Sequence, residues 1–216
     1  MEQLDLGVAA AAMVAAQRAE EKLDQLMGVW GRWLVRREPW QQARKYILGL
    51  MSDLPHKNCW SLAEYAGDAT PDRMQRLLER AVWDEAAAMR AVSGLVIDHL
   101  RPQETDALVV AVLDESGQQK QGEHTAGVKP QYLGCAGQVT NAINFVNCTY
   151  SSPVGHALVG SRLYIPAEQA ADPTRRRAMG IPEQVTFKTK PELATQLLAE
   201  QLTWGAQIPW CTADTV

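Results

Sequence analysis

Cysteine is scarce and scattered in this chain. Four occur in 216 residues (Cys59, Cys135, Cys148 and Cys211), with no Cys-x-x-Cys word and no Cys/His pair at ligand spacing. That pattern argues against a zinc site and a disulfide framework and suits a reducing compartment. The histidines, His56, His99, His124 and His156, are equally isolated. No glycine-rich phosphate loop or dinucleotide fingerprint is present, and Ser116 lacks the Gly-x-Ser-x-Gly frame of a nucleophile elbow. There is no basic excess either: 21 Lys and Arg against 25 Asp and Glu leave a net charge of −4. A basic coat over the whole surface is thereby excluded, though local basic patches are not. The Ala-rich start, Leu6 to Ala16, is too short to span a bilayer. Its flanks carry Glu2, Asp5, Arg18, Glu20 and Glu21, not the basic leader of an export signal. A cytoplasmic protein without a membrane span is expected.

What is present is dominated by one stretch, Ala107-Leu-Val-Val-Ala-Val-Leu113, which runs into Asp114-Glu115-Ser116-Gly117. An unbroken Val-rich run reads as a strand buried on both faces, ending in two acids and a glycine turn. Carboxylates at the ends of such strands sit where open sheets place chemistry. A second unit of this kind, Ile208-Pro-Trp-Cys-Thr-Ala213, runs into Asp214.

The first half reads as helical. Leu4, Val8, Ala12, Ala15, Ala19, Leu23, Leu26 and Trp30 recur at helical spacing and predict one long amphipathic helix. Its narrow Ala-rich face permits packing on its own domain, or on a second copy as a homodimer. Pro39 suits the first turn of a second helix marked by Trp40, Ala43, Ile47, Leu50 and Leu54 and ended by Pro55. Around it Arg44, Lys45 and Lys57 contribute to a local basic excess. Ser61-Leu-Ala-Glu64 reads as a capping box opening a short helix that stops at Gly67. Thr70-Pro71 is expected to cap the next helix, with Met74, Leu77, Leu78 and Ala81 facing inward. Short helix, glycine turn and capped helix outline a helix-turn-helix. Arg73, Arg76 and Arg80 then form an exposed stripe that can follow a phosphate backbone. The alternative is an ordinary helical hairpin with a solvated face. Asp84 caps a last helix, Glu85 to Leu100. Most of the seven tryptophans fall in this half and are expected to pack it.

The second half alternates strand and helix. Residues 117–137 read as a loop or irregular hairpin with an extended piece at 128–133. Residues 139–150 and 156–165 read as strands joined by a turn. Residues 166–183 read as a polar loop carrying Arg175, Arg176 and Arg177. Lys190-Pro191-Glu192 opens a helix that Gly205 ends, before the final strand. Two domains are expected, a helical one over 1–103 and a mixed α/β one over 104–216.

This element order, with acids ending the first and last strands, resembles the ribonuclease-H-like fold. There the helical crossover makes those strands parallel, and the two Asp stand one strand spacing apart, about 4.8 Å. Such a pair favours a hard divalent cation, Mg²⁺ or Mn²⁺. Two such ions about 3.5–4 Å apart activate a water or 3′-hydroxyl and stabilise the leaving oxygen of a phosphodiester. A third acid is normally required.

Several words resemble the DDE-superfamily transposases of bacterial insertion sequences. They are Val112-Leu-Asp-Glu-Ser-Gly117, Ala126-Gly-Val-Lys-Pro-Gln-Tyr-Leu-Gly-Cys-Ala-Gly137, Ser161-Arg-Leu-Tyr-Ile-Pro166, Ala178-Met-Gly-Ile-Pro182 and Thr189-Lys-Pro-Glu-Leu193. Upstream, Leu54-Pro-His-Lys-Asn-Cys-Trp-Ser-Leu-Ala-Glu-Tyr-Ala-Gly67 and Thr70-Pro-Asp-Arg-Met-Gln-Arg-Leu-Leu78 resemble that group's DNA-binding region. The resemblance implies an α+β protein with a helix-turn-helix-like element and a partial ribonuclease-H-like domain. It makes Asp114 and Asp214 the first two catalytic and metal-binding acids. It implies double-stranded DNA at terminal repeats as partner and a nucleoid-associated place in the cytoplasm. No acid in residues 1–216 takes the family's third, Glu, role by position, and Glu115 is a poor substitute. The expectation is therefore an N-terminal or truncated transposase, inactive alone, whose two-metal site needs a complete catalytic domain. Two other readings compete: a DNA-binding regulator of transposition that needs residues 30–80 and not the Asp pair, and a different ribonuclease-H-like nuclease. A third, non-catalytic reading has the two Asp merely capping strands.

Overall fold

A computed structural model describes residues 2–33 and 37–214; of these, the side chains of Leu4 and Trp30, both placed on the first helix face above, lie outside the described set. The chain divides into two compact units, Met1–Val92 and Ser93–Val216. Each has its own core. No helix among the described residues is long and apolar enough to cross a membrane.

The helical unit opens with α1 (Glu2–Trp30), as long as the alanine content favours. Among its described side chains Leu23 and Met27, towards the end of the helix, are buried, whereas Val8 is 65% exposed. The stripe predicted through Val8, Ala12, Ala15 and Ala19 is therefore uncovered within this unit. A short 3₁₀ turn, Gly31–Trp33, precedes α2 (Arg37–Met51). Leu23, Met27 and Ala43 form one core with Trp40, Ile47 and Leu77 against them. The Trp40 indole N–H donates to the Met27 carbonyl at 2.9 Å, tying α2 to the end of α1. Gly31 lies under that ring, since a Cβ there would meet Trp40 Cδ1 at 2.1 Å.

A second small core joins Leu62, Ala63 and Met74 from α3 (Cys59–Tyr65) and α4 (Asp72–Glu79). The cap of α3 differs from expectation. Asn58 is the N-cap and accepts from the N–H groups of Trp60 and Ser61, while Ser61 is the third helical residue and closes the box in reverse. The pattern has one more polar residue upstream than Ser-x-x-Glu suggests, and Asn caps as well as Ser. Gly67, at φ +71°, ends α3 in the left-handed region. Helix α4 has Pro71 at its N-cap without a side-chain cap bond. Leu78 is 58% exposed, not inward, because α4 is only two turns long and Met74 alone fills its buried face. Trp60 and Trp83 are also exposed, so Trp40 carries the indole packing described here. The division between units falls within α5 (Glu85–Leu100).

The second unit is a five-stranded mixed sheet with helix on one face. Its strands are β1 (Val110–Gln119), β2 (Lys129–Leu133), β3 (Gln138–Ser152), β4 (Gly155–Leu163) and β5 (Trp210–Ala213). The order is β2-β3-β1-β5, with β4 also on β3. Strand β3 is long enough to hold β1 along one edge, and β2 and then β4 along the other. The apolar run underestimates β1. It continues through Asp114 and Gly117 to Gln119 because β3 keeps pairing with it, so Gly117 is an in-strand residue and not a turn. Its missing side chain is used: a Cβ would meet Leu133 Cδ1 at 2.2 Å and Asn144 Oδ1 at 2.5 Å. The polar loop at 166–183 contains two short helices, α6 (Ala167–Ala171) and α7 (Pro173–Ala178), the second capped by Asp172.

Helix α8 (Lys190–Thr203) has a Thr189/Glu192 capping box and carries the chain to β5. Leu193 and Leu197 pack on Ala111, Leu113, Val146, Cys148, Tyr150 and Val159 of the sheet. Gln201, fully buried, accepts from Ser93 Oγ at 2.5 Å and donates to the Val159 carbonyl at 3.2 Å. The crossover makes β5 parallel to β1.

Candidate functional site

The parallel register pairs Val112 with Thr212 and Leu113 with Ala213. Asp114 is the next residue of β1, and Asp214 directly follows the last residue of β5. Alternation along β1 puts Ala111 and Leu113 in the core, leaving Asp114 on the opposite face with Val112 and Ser116. Both aspartates are exposed. Asp114 Oδ1 accepts the N–H of Glu115 at 2.7 Å, which fixes the carboxylate against its own backbone.

The row continues on the other side of β1. Asn147 of β3 is in register with Asp114, and Ser161 of β4 is in register with Asn147. The Ser161 hydroxyl donates to Asn147 Oδ1 at 2.8 Å, and Asn147 Nδ2 donates to Ser116 Oγ at 2.8 Å. Sequence reasoning gave no role to Asn147, which lies in none of the family words, or to Ser161, which opens one of them, because cross-strand register leaves no local signal. The trace is the polar alternation Asn147, Thr149, Ser151 in the second half of β3.

Glu115 belongs to the opposite face. It forms a close ion pair with Lys190 at the start of α8, and that ammonium lies 5.7 Å from the Tyr164 ring centroid. Its charge is thus engaged away from the two aspartates. The two carboxylates are hard oxygen donors of the kind a divalent cation takes, but only part of a coordination shell. No cluster of three metal-ligating side chains occurs among the described residues.

In the helical unit, a cleft of about 1070 Å³ lies between α2 and α4. Arg44, Lys45, Arg73, Arg76 and Arg80 all line it, opposed there by one acid, Glu38. Arg44 is paired with Asp24 at 3.0 Å and Glu20 at 3.6 Å, both on α1. Lys45 is paired with Asp68, and Arg80 reaches Glu79 at 3.7 Å. Among the described residues Arg73 and Arg76 make no ion pair. Lys57 is exposed on the segment between α2 and α3, outside the lining. In the other unit Arg175, Arg176 and Arg177 lie on α7. Arg175 pairs with Asp172 at 3.8 Å, and Arg176 donates to the carbonyls of Ala170 and Pro182, closing the loop.

Taken by its architecture, the chain is an α+β protein whose mixed sheet contains a parallel β1–β5 pairing that is followed on each strand by an aspartate. The family follows from comparison: the model for the DDE superfamily endonucleases matches residues 34–216, and the chain belongs to that family. Endonucleases of this superfamily generally use a divalent metal. A relative from Microchaete diplosiphon, named "Probable transposase for insertion sequence element IS701", is 26% identical over 183 residues. That match covers 81% of this chain and 42% of the relative, so the chain spans about two-fifths of that protein's length. No solved structure matches.

Proposed function

We propose that residues 1–216 form the DNA-binding region and the first part of the catalytic domain of an insertion-sequence transposase. Asp114 and Asp214 are its first two catalytic acids. What supports this reading is the parallel pairing of β1 with β5, which ends at Leu113 and Ala213, one residue before each acid. The strand order and the α8 crossover support a partial ribonuclease-H-like domain. Asp114 and Asp214 would hold a divalent cation, Mg²⁺ or Mn²⁺, which when bound supplies charge stabilisation to a phosphodiester under attack. The partner is double-stranded DNA at terminal repeats, consistent with a nucleoid-associated cytoplasmic protein. The helical unit grips it through the α2–α4 cleft, with α3 and α4 in the place of a helix-turn-helix. A homodimer through the uncovered face of α1 belongs to the same proposal.

Calorimetric titration of Mn²⁺ tests the acid pair. The chain binds Mn²⁺, and Asp114→Ala weakens binding at least about tenfold, equivalent to about 1.4 kcal/mol. Equal binding by both would remove Asp114 from the site. With two acids and no cluster of three metal-ligating side chains among the described residues, residues 1–216 by themselves are expected neither to cleave nor to join DNA. Nicking of DNA by the chain with Mg²⁺, abolished in Asp114→Ala, would refute that statement. A second reading, a DNA-binding regulator of transposition, is favoured by the cleft alone. It requires Arg73 and Arg76 but not Asp114.

A further inference from the structure

We infer that the row Asp214–Asp114–Asn147–Ser161 is one continuous substrate track, in which Asn147 and Ser161 position the DNA strand beside the acids. The inference rests on the proposed role of the two aspartates and extends it to Asn147 and Ser161. Asp114, Asn147 and Ser161 come from the adjacent strands β1, β3 and β4 in register, and Asp214 directly follows the last paired residue of β5. The three residues in register span two strand spacings, about 10 Å. A DNA strand repeats its phosphate about every 3.4 Å of axis, so they match about three nucleotides.

Chemistry distinguishes the two ends. The Asp end suits a cation. The Asn147–Ser161 end is neutral and offers amide and hydroxyl groups, which hydrogen-bond phosphate and sugar oxygens. A Lys or Arg here would instead compete with the cation for Asp114. Asn147 is held from both sides by the Ser161 and Ser116 hydroxyls at 2.8 Å, so its side chain is ordered before any ligand arrives. Both Asn147 and Ser161 are half-buried, which leaves part of each accessible on the open face.

The test measures the affinity of a fluorescent mixed-sequence duplex by anisotropy, with Mn²⁺ and with a chelator, and Mn²⁺ affinity by calorimetry. The chain should bind duplex more tightly with Mn²⁺. Asn147→Ala and Ser161→Ala should each lose most of that gain, a three- to tenfold loss, with Mn²⁺ affinity and melting temperature unchanged. Ser161→Thr, which keeps the hydroxyl, should retain the gain and guards against a merely structural effect. If both alanine variants keep the gain, the track is refuted while the acid pair stands. Loss of Mn²⁺ binding in Asn147→Ala, at an unchanged melting temperature, would refute it too by making Asn147 a metal ligand. If the chain binds Mn²⁺ without any gain for duplex, the track again fails alone. Absence of Mn²⁺ binding in the unmodified chain would remove both readings together.

Discussion

Burial of the Asp68 side chain, 6% exposed, works against its charge. Hydrogen bonds from Lys45 and Gln42 outweigh that desolvation, and with the charges of Lys45 and Arg73 hold the carboxyl below its ordinary 3.8. A carboxyl depressed in the folded state contributes stability that is complete above the unfolded value and is lost as pH falls through the folded one. Asp68→Asn should therefore cost about 1–2 kcal/mol at neutral pH and flatten the acid limb of the unfolding curve. Urea titration of the chain and variant at pH 7 and below 4 checks both. A variant with an unchanged acid limb would show that Asp68 is not the group responsible. In the sequence Asp68 is one acid in a turn, and nothing local says that Lys45 will meet it. Asp114 and Asp214 were conspicuous as candidates because each ends an apolar run. Asn147 was not, because its meaning lies in a partner strand. Ser61 was misplaced by three residues because two capping residues, Asn58 and Ser61, compete within one turn and only the chain path decides between them.

At the scale of elements, strands were read from apolar runs, and the runs locate cores better than they locate ends. The end of β1 is set by β3, which pairs with it to Gln119, well past the last core residue. Strand β5 is the opposite case: four residues, all exposed, held by β1 on one side. The cysteines report this difference. Burial, with a smaller contribution from Cys211, pushes the Cys148 thiol up to about 11 in the centre of the sheet. Thiol reagents act on the thiolate, so the exposed Cys211 and Cys135 should be modified in the native chain and Cys148 only on unfolding. Mass spectrometry of alkylated peptides with and without denaturant reads this directly. Modification of Cys148 at the rate of Cys211 would remove β3 from the centre of the sheet. The two short helices α6 and α7 escaped the sequence because each is about one turn long. They are held by buried Gln169, which accepts from the Gly127 N–H and donates to the Val128 carbonyl.

For the whole molecule, a net charge of −4 hides a segregation of charge: one cleft gathers five cations against one acid. Phosphate contacts displace condensed counterions, so each cation that touches a backbone phosphate adds about one to the slope of log affinity against log salt. Arg73 and Arg76, outside any ion pair among the described residues, should behave this way. Arg73→Ala and Arg76→Ala should each weaken duplex binding for every sequence tried and lower the slope by about one. Arg44 should contribute less, because Asp24 and Glu20 already hold it. Asp24→Asn should accordingly tighten binding, most at low salt, where exposed charges are least screened. Lys57→Ala, outside the cleft, is the control and should change affinity least. Anisotropy titrations of two unrelated duplexes across a salt series separate the cases. Loss confined to one duplex with an unchanged slope would make these arginines readers of base edges, and the cleft would then be a recognition surface and not a backbone grip.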